Sequence, residues 1–280
     1  MKWLKKSGFN SLDEPITREL LGPSFDEQSN GPKLVGVGVP KAGTTWWANL
    51  IMEHSMIRGH LGMEGSLQAR DKELLYFPQF DWKSDLDNAL KNYRGAFAHD
   101  AVGFEFSTVY LHDQASLEAL SQVNEELKIL ILLRNPVDRY LSHLNFLIHN
   151  QAHENGRAIK KTNRKINFTL KPIARSYSLY SDGIAQALRI FGRDRLLIQF
   201  YEELKDKPNQ KLSEVHRFIG IPEEKCSADT QEAINRIPYY FEKPSTQERG
   251  LLALQWKEDV SRLKELVPEL PFDYWTDYTE

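Results

Sequence analysis

The sequence predicts an α/β domain in which a central, mainly parallel sheet is flanked by helices. Three short apolar runs, at residues 34–39, 128–133 and 195–201, carry that prediction. Each is too short for a buried helix and too uniformly apolar for a strand with one wet face, so each reads as a strand covered on both sides. Segments of helical spacing lie between them, and strands alternating with helices build a parallel sheet. The single cysteine, Cys226, excludes an intramolecular disulfide, so apolar burial has to hold the fold. With 41% hydrophobic residues over 280 positions, the chain has enough apolar surface to do so.

Residues 1–32 are polar, contain Pro15 and Pro23, and end in the loop signature Asn30-Gly31-Pro32, so they read as an N-terminal arm with a short helix near 16–21. One domain then spans 33–280. Its first strand, Leu34-Val35-Gly36-Val37-Gly38-Val39, stops at Pro40 and Gly43, and helical spacing follows over 44–56. A weaker strand is expected at 101–106. After the strand at 128–133, Asn135 is a good N-cap and Pro136 suits the first helical position, which predicts a helix over 136–149. A helix over 184–191 precedes the strand at 195–201, and 247–266 reads as one amphipathic helix.

Composition removes several function classes. Lys and Arg number 36 against 39 Asp and Glu, a net charge of -3, so the chain is not a bulk binder of nucleic acid or of anionic membrane. No apolar run approaches the ~20 residues of a membrane span. Met1-Lys2-Trp3-Leu4-Lys5-Lys6 has the basic flank of a signal peptide without the apolar stretch that follows one, so a cytoplasmic location is expected. One segment departs from the even balance. Lys160, Lys161, Arg164, Lys165 and Lys171 fall within 157–175 without an acidic residue, as either a solvated loop or an anion-binding flap.

The chemistry concentrates in Gly38-Val39-Pro40-Lys41-Ala42-Gly43-Thr44-Thr45-Trp46, between a buried strand and a helix start. Backbone N–H groups of a loop and of a helix N-terminus converge there on an anion site. The Gly38-to-Gly43 spacing matches the first half of a nucleoside-triphosphate P-loop, but Thr44 stands where that loop needs lysine. Lysine occurs three residues earlier, as Lys41, which implies a different transferred group.

Pro40 to Trp46 resembles the 5′-phosphosulfate loop of sulfotransferases that use 3′-phosphoadenosine 5′-phosphosulfate (PAPS). A second signature of that family, an arginine at a strand end and a serine eight residues on, is matched by Arg134 and Ser142 in Arg-Asn-Pro-Val-Asp-Arg-Tyr-Leu-Ser. A guanidinium fork and a hydroxyl facing one anion suit the nucleotide's 3′-phosphate. The likeness extends from about 33 to 275, including Tyr201-Glu202-Glu203-Leu204 and Phe218-Ile219-Gly220-Ile221-Pro222. It implies a P-loop-type three-layer fold, PAPS as donor, adenosine 3′,5′-bisphosphate (PAP) as product and no metal. Lys41, Ala42, Gly43, Thr44, Thr45, Trp46, Arg134, Ser142 and Tyr180 are the nucleotide contacts it implies.

Sulfuryl transfer also needs a base for the acceptor proton and a cation on the leaving phosphate oxygen. Lys41 fills the second role by position. Lys72-Glu73-Leu74-Leu75-Tyr76-Phe77 looks like the acidic motif of the carbohydrate branch related to heparan sulfate enzymes, which makes Glu73 the expected base. The cytosolic small-molecule branch uses a histidine, for which His99 stands in order along the chain. Glu105 resembles the family's acidic strand end, with a role toward the acceptor or Lys41. Phe106 departs from the heparan-type pattern, in which a lysine often stands. The expected reaction is transfer to a hydroxyl or amine of a small-molecule or saccharide acceptor. Rival readings are a P-loop kinase of a small metabolite and a nucleotide-binding protein without turnover.

Overall fold

The computed structural model describes residues 25–61, 72–79, 82–154, 171–225 and 239–279. The expected helix at 16–21, Cys226 and most of the basic segment at 157–175 lie outside them.

The sheet has five parallel strands in the order β2-β3-β1-β4-β5: β1 Leu34–Gly38, β2 Ile57–Arg58, β3 Val102–Phe106, β4 Lys128–Leu133 and β5 Leu196–Phe200. Their registers pair Val35 with Glu105 on one side and with Ile129 on the other. All five residues of β1 are buried, as a central strand covered by helices requires. Gly36 has no side chain because the Phe106 ring of the neighbouring strand occupies that space, 2.3 Å from where a Cβ would stand. The strands expected at 34–39, 101–106, 128–133 and 195–201 are all present, trimmed by a residue or so at their ends.

The helices are α1 Thr44–Met52, α2 Tyr76–Gln79, α3 Leu86–Gly95, α4 Gln114–Ser121, α5 Pro136–Glu154, α6 Pro172–Ser176, α7 Ser181–Phe191, α8 Tyr201–Asp206, α9 Pro208–Ile219, α10 Thr246–Ala253 and α11 Lys257–Leu266. Asn135 caps α5 as expected, its Oδ1 accepting from the amides of Val137 and Asp138 at 3.0 and 3.3 Å. That helix continues five residues past the expected end, since no Gly or Pro interrupts it. Helix α7 is capped from a distance: the Asp259 carboxylate accepts from the amides of Tyr180 and Ser181 and from the Ser181 hydroxyl.

The C-terminal amphipathic segment is two helices rather than one. Trp256, fully buried, sits in the turn between α10 and α11 and donates its indole N–H to the Arg175 carbonyl at 3.2 Å. Periodicity across 247–266 carried no signal of this break, because tertiary burial of one aromatic ring causes it.

The chain leaves β1 toward β2 on one side and leaves β4 toward β5 on the other. The carboxyl ends of β1 and β4 therefore flank the switch point, where open α/β sheets form their ligand crevice.

Candidate active site

Loop 39–43 leaves β1 at this crevice. Gly43 adopts φ 81, and a Cβ there would lie 2.5 Å from the Tyr201 ring, so both conformation and space require glycine. Gly43 is also the N-cap of α1, with no side-chain cap and no acidic residue in the first turn. The helix thus starts with unclaimed N–H groups beside Thr44 and Thr45. Lys41 has φ 71, and its carbonyl accepts from Arg134 Nη1 at 3.0 Å. That bond joins the two sequence signatures directly.

The turn carrying Arg134 is fixed from several directions. Glu202 accepts from the Asn135 amide at 3.0 Å, Asp277 accepts from the Asn135 side chain at 2.8 Å, and Tyr180 donates its hydroxyl to the Arg134 carbonyl at 2.8 Å. Tyr180 is itself fully buried, so it reaches the site through Arg134. Ser142 lies half-buried two turns into α5, and its hydroxyl bonds to none of the described residues.

Two residues that the sequence reading left unassigned complete the crevice. Arg139, fully buried, donates to Ser178 Oγ at 2.6 Å, to the Pro40 carbonyl at 3.3 Å and to the Ala174 carbonyl, and its Nη1 meets His143 Nδ1 at 3.1 Å. It ties the glycine loop to α5 and α6. Its signal lay in the sequence as an arginine on a helix with no acid three or four positions away. Tyr201, at the carboxyl end of β5, packs its ring beneath Gly43 and against the Arg134 guanidinium, 4.7 Å from the ring centre.

The electrostatics are one-sided. Burial, then the charges of Arg134 and Arg139, push the Lys41 ammonium down to about 8, with Glu73 opposing. Burial likewise pulls Arg139 down to about 10. Burial together with Arg139 and Lys41 holds His143 neutral. Lys41 Nζ lies 3.9 Å over the Phe146 ring. Arg134 Nε and Trp46 Nε1 are buried donors with no acceptor among the described residues. Buried donors left over beside crowded cations fit an anionic ligand with several phosphate oxygens and a ring edge.

Glu73 faces the same space. Lys72 Nζ donates to its Oε1 at 2.6 Å and Thr108 Oγ1 to its Oε2 at 3.1 Å. The two side chains are 1% and 13% exposed, so this pair is buried rather than an exposed ion pair. Glu105, expected to act toward the acceptor or Lys41, is 1% exposed near the end of β3. It accepts from Tyr93, Ser107 and the Leu74 amide. His99 is not brought to the site. It sits at the amino end of β3, exposed and paired with Asp26 at 2.7 Å, and that carboxylate raises its pKa. A cleft of about 450 Å³ opens beside it, at the amino ends of the strands, whereas Lys41 follows the carboxyl end of β1.

A glycine loop, an uncapped helix start and two arginines converge at the switch point of a parallel sheet, the arrangement of an α/β anion-binding crevice. Residues 32–261 match the family model for the sulfotransferase domain, and the chain belongs to that family of PAPS-dependent enzymes. It is 22% identical over 223 residues to the bifunctional heparan sulfate N-deacetylase/N-sulfotransferase 1 of Caenorhabditis elegans, covering 76% of this chain and 25% of the relative. Against the corresponding enzyme 4 of Mus musculus it is 24% identical over 206 residues, covering 68% of this chain and 22% of the relative. The chain therefore spans about a quarter of these relatives. The crystal structure of a sulfotransferase from Alicyclobacillus acidocaldarius superposes with a TM-score of 0.60 at 22% identity, over 88% of this chain and 98% of that one, which supports the shared fold.

Proposed function

We propose that the chain transfers the sulfuryl group of PAPS to a hydroxyl or amine of a small-molecule or saccharide acceptor, with Glu73 as general base. The observation that carries this reading is the convergence of Lys41, Arg134 and Arg139 on the glycine loop, with Arg134 Nη1 on the Lys41 carbonyl, Arg139 Nη1 on the Pro40 carbonyl and the Glu73 carboxylate within electrostatic reach of Lys41. The open start of α1 and Lys41 would hold the 5′-phosphosulfate, and Arg134 with Ser142 the 3′-phosphate. Bound there, the donor supplies the sulfuryl group and a phosphate leaving group.

The protein's own contribution is charge and placement. Lys41 Nζ offsets negative charge growing on the leaving oxygen, and it is the more effective for being desolvated. Glu73 takes the acceptor proton on a carboxylate oxygen. Lys72 and Thr108 hold that carboxylate still, so little of its orientation is left to be frozen during the reaction. The Glu73 carboxylate is close enough to favour the Lys41 ammonium, so base and leaving-group cation stand on one crevice.

The relatives are named for N-sulfation of heparan sulfate, which makes an amino sugar the first acceptor to try and simple hydroxylated aromatics the second. PAP should raise the melting temperature of the purified protein. A screen with ³⁵S-labelled PAPS over saccharide, phenol and amine acceptors should then return a labelled product. Absence of any thermal response to PAP would end the nucleotide reading.

A further inference from the structure

Three successive amides follow the proposed base, and each is held by a different side chain from one short segment. The Leu74 amide donates to Glu105 Oε2 at 3.1 Å, the Leu75 amide to Ser107 Oγ at 2.9 Å and the Tyr76 amide to the Tyr110 hydroxyl oxygen at 2.9 Å. The acceptors are linked among themselves, since Ser107 donates to Glu105 Oε2 at 2.5 Å. Tyr93, on α3, donates to Glu105 Oε1 at 2.6 Å and closes the carboxylate from the other side. Leu75 takes φ 48, an uncommon conformation for a residue with a side chain, so the segment does not have this shape by local preference. One residue upstream, the Phe106 amide donates to the Lys72 carbonyl at 2.9 Å, and Lys72 Nζ returns to the Phe106 carbonyl at 3.1 Å.

We infer that Glu105 is a positioning residue for the reaction, acting through the backbone of residues 74–76 to fix where the Glu73 carboxylate stands. The inference rests on the sulfotransferase reading and on Glu73 as its base. A buried carboxylate is a costly way to hold an ordinary loop, because a neutral acceptor avoids desolvating a charge. Here it gathers three donors and makes a rigid anchor for a chain segment that carries a reacting group one residue away. Charge-assisted bonds are shorter and stiffer than neutral ones, and general-base efficiency falls steeply with misplacement. Burial drives the Glu105 carboxyl up to about 7 while its three donors pull the other way. The three donors thus offset only part of the cost of burying it.

The test uses the whole protein and two readouts that need no identified acceptor: PAP affinity by calorimetry, and release of labelled sulfate from PAPS into water. Glu105→Gln, and the milder Ser107→Ala and Tyr110→Phe in case the first does not fold, should leave the dissociation constant for PAP within about twofold. Sulfate release should fall on the order of 10- to 100-fold. The decisive comparison is with Glu73→Gln. If Glu105 acts through Glu73, the double variant Glu73→Gln/Glu105→Gln loses no more rate than Glu73→Gln alone. Multiplying losses in the double variant would overturn the inference, as would folded Glu105→Gln and Ser107→Ala variants with wild-type rates. So would a wild type that binds PAP and releases no sulfate. A wild type that fails to bind PAP would instead bring down the nucleotide reading beneath it, so the two failures are distinguishable.

Discussion

The two halves of the crevice handle charge in opposite ways. Around the glycine loop, three cations crowd together, a helix starts uncapped, and the buried donors Arg134 Nε and Trp46 Nε1 lack acceptors. Around Glu73 both carboxylate oxygens are bonded, its lysine is buried against it, and the next three amides are each claimed. The first half is electrostatically incomplete and gains free energy when an anion arrives. The second is complete before any ligand binds, which suits a group that has to be in place at the moment of proton transfer. Binding and chemistry are thus divided between neighbouring strand ends, those of β1 and β4 for the donor and that of β3, on which the Glu73 segment is anchored, for the base.

If this division holds, substitutions in the two halves should separate rate from affinity. The largest effect is expected from Glu73→Gln, an isosteric change that removes the base. Turnover should fall by about 10²–10⁴, the usual contribution of general base catalysis, with PAP affinity by calorimetry at pH 7 unchanged. Unaltered turnover would remove Glu73 from the chemistry and leave β3 without a base, since His99 lies at the wrong end of the strand. Arg134→Ala should do the reverse. Losing a guanidinium that pairs with a desolvated phosphate costs about 2–5 kcal/mol of binding, read as a weaker dissociation constant for PAP. A variant that bound PAP normally would show that the 3′-phosphate is held elsewhere.

The same contrast explains what could be read from the sequence. The donor half was legible because its parts are local: a strand end, a glycine, a lysine and a helix start fall within nine residues, and Arg134 and Ser142 within nine more. Strands β1, β4 and β5 were equally legible, being continuous apolar runs. The base half was only partly so. Glu73 could be singled out through its aromatic neighbours, but the bonds from residues 74–76 to Glu105, Ser107 and Tyr110 join segments some thirty positions apart and leave no periodic trace. Glu105 was accordingly read for a role toward the acceptor or Lys41, and its bonds to the Leu74 amide, Ser107 and Tyr93 could not be read at all. Chain order alone kept His99 as an alternative base, and only the direction of β3 shows it to lie at the strand's amino end, away from Lys41. Helices α3 and α4 went unassigned, and Tyr201 read as a strand-end tyrosine until its ring was seen beneath Gly43.

The smallest effect expected is a pH dependence confined to the donor half. In the free protein the Lys41 ammonium is held down to about 8 by burial and by Arg134 and Arg139. A bound anion favours the ammonium and moves that pKa back up. Below pH 8 the charge is present in both states, so Lys41 adds no pH dependence there. Above pH 8 the free protein has lost the proton and binding must take one up, so PAP affinity should weaken with rising pH, at most about tenfold per unit. Calorimetry between pH 7 and 9.5 measures the slope, and repeating it in two buffers of different ionisation heat counts the proton. Lys41→Met should bind PAP more weakly at pH 7 and show a flat profile. An unchanged slope in that variant would assign the proton to another group and leave Lys41 charged throughout. A Glu73→Gln variant should keep the slope: Glu73 favours the Lys41 ammonium, so its loss lowers that pKa somewhat and moves the onset to lower pH. The size of that displacement measures how strongly the two halves of the crevice sense each other.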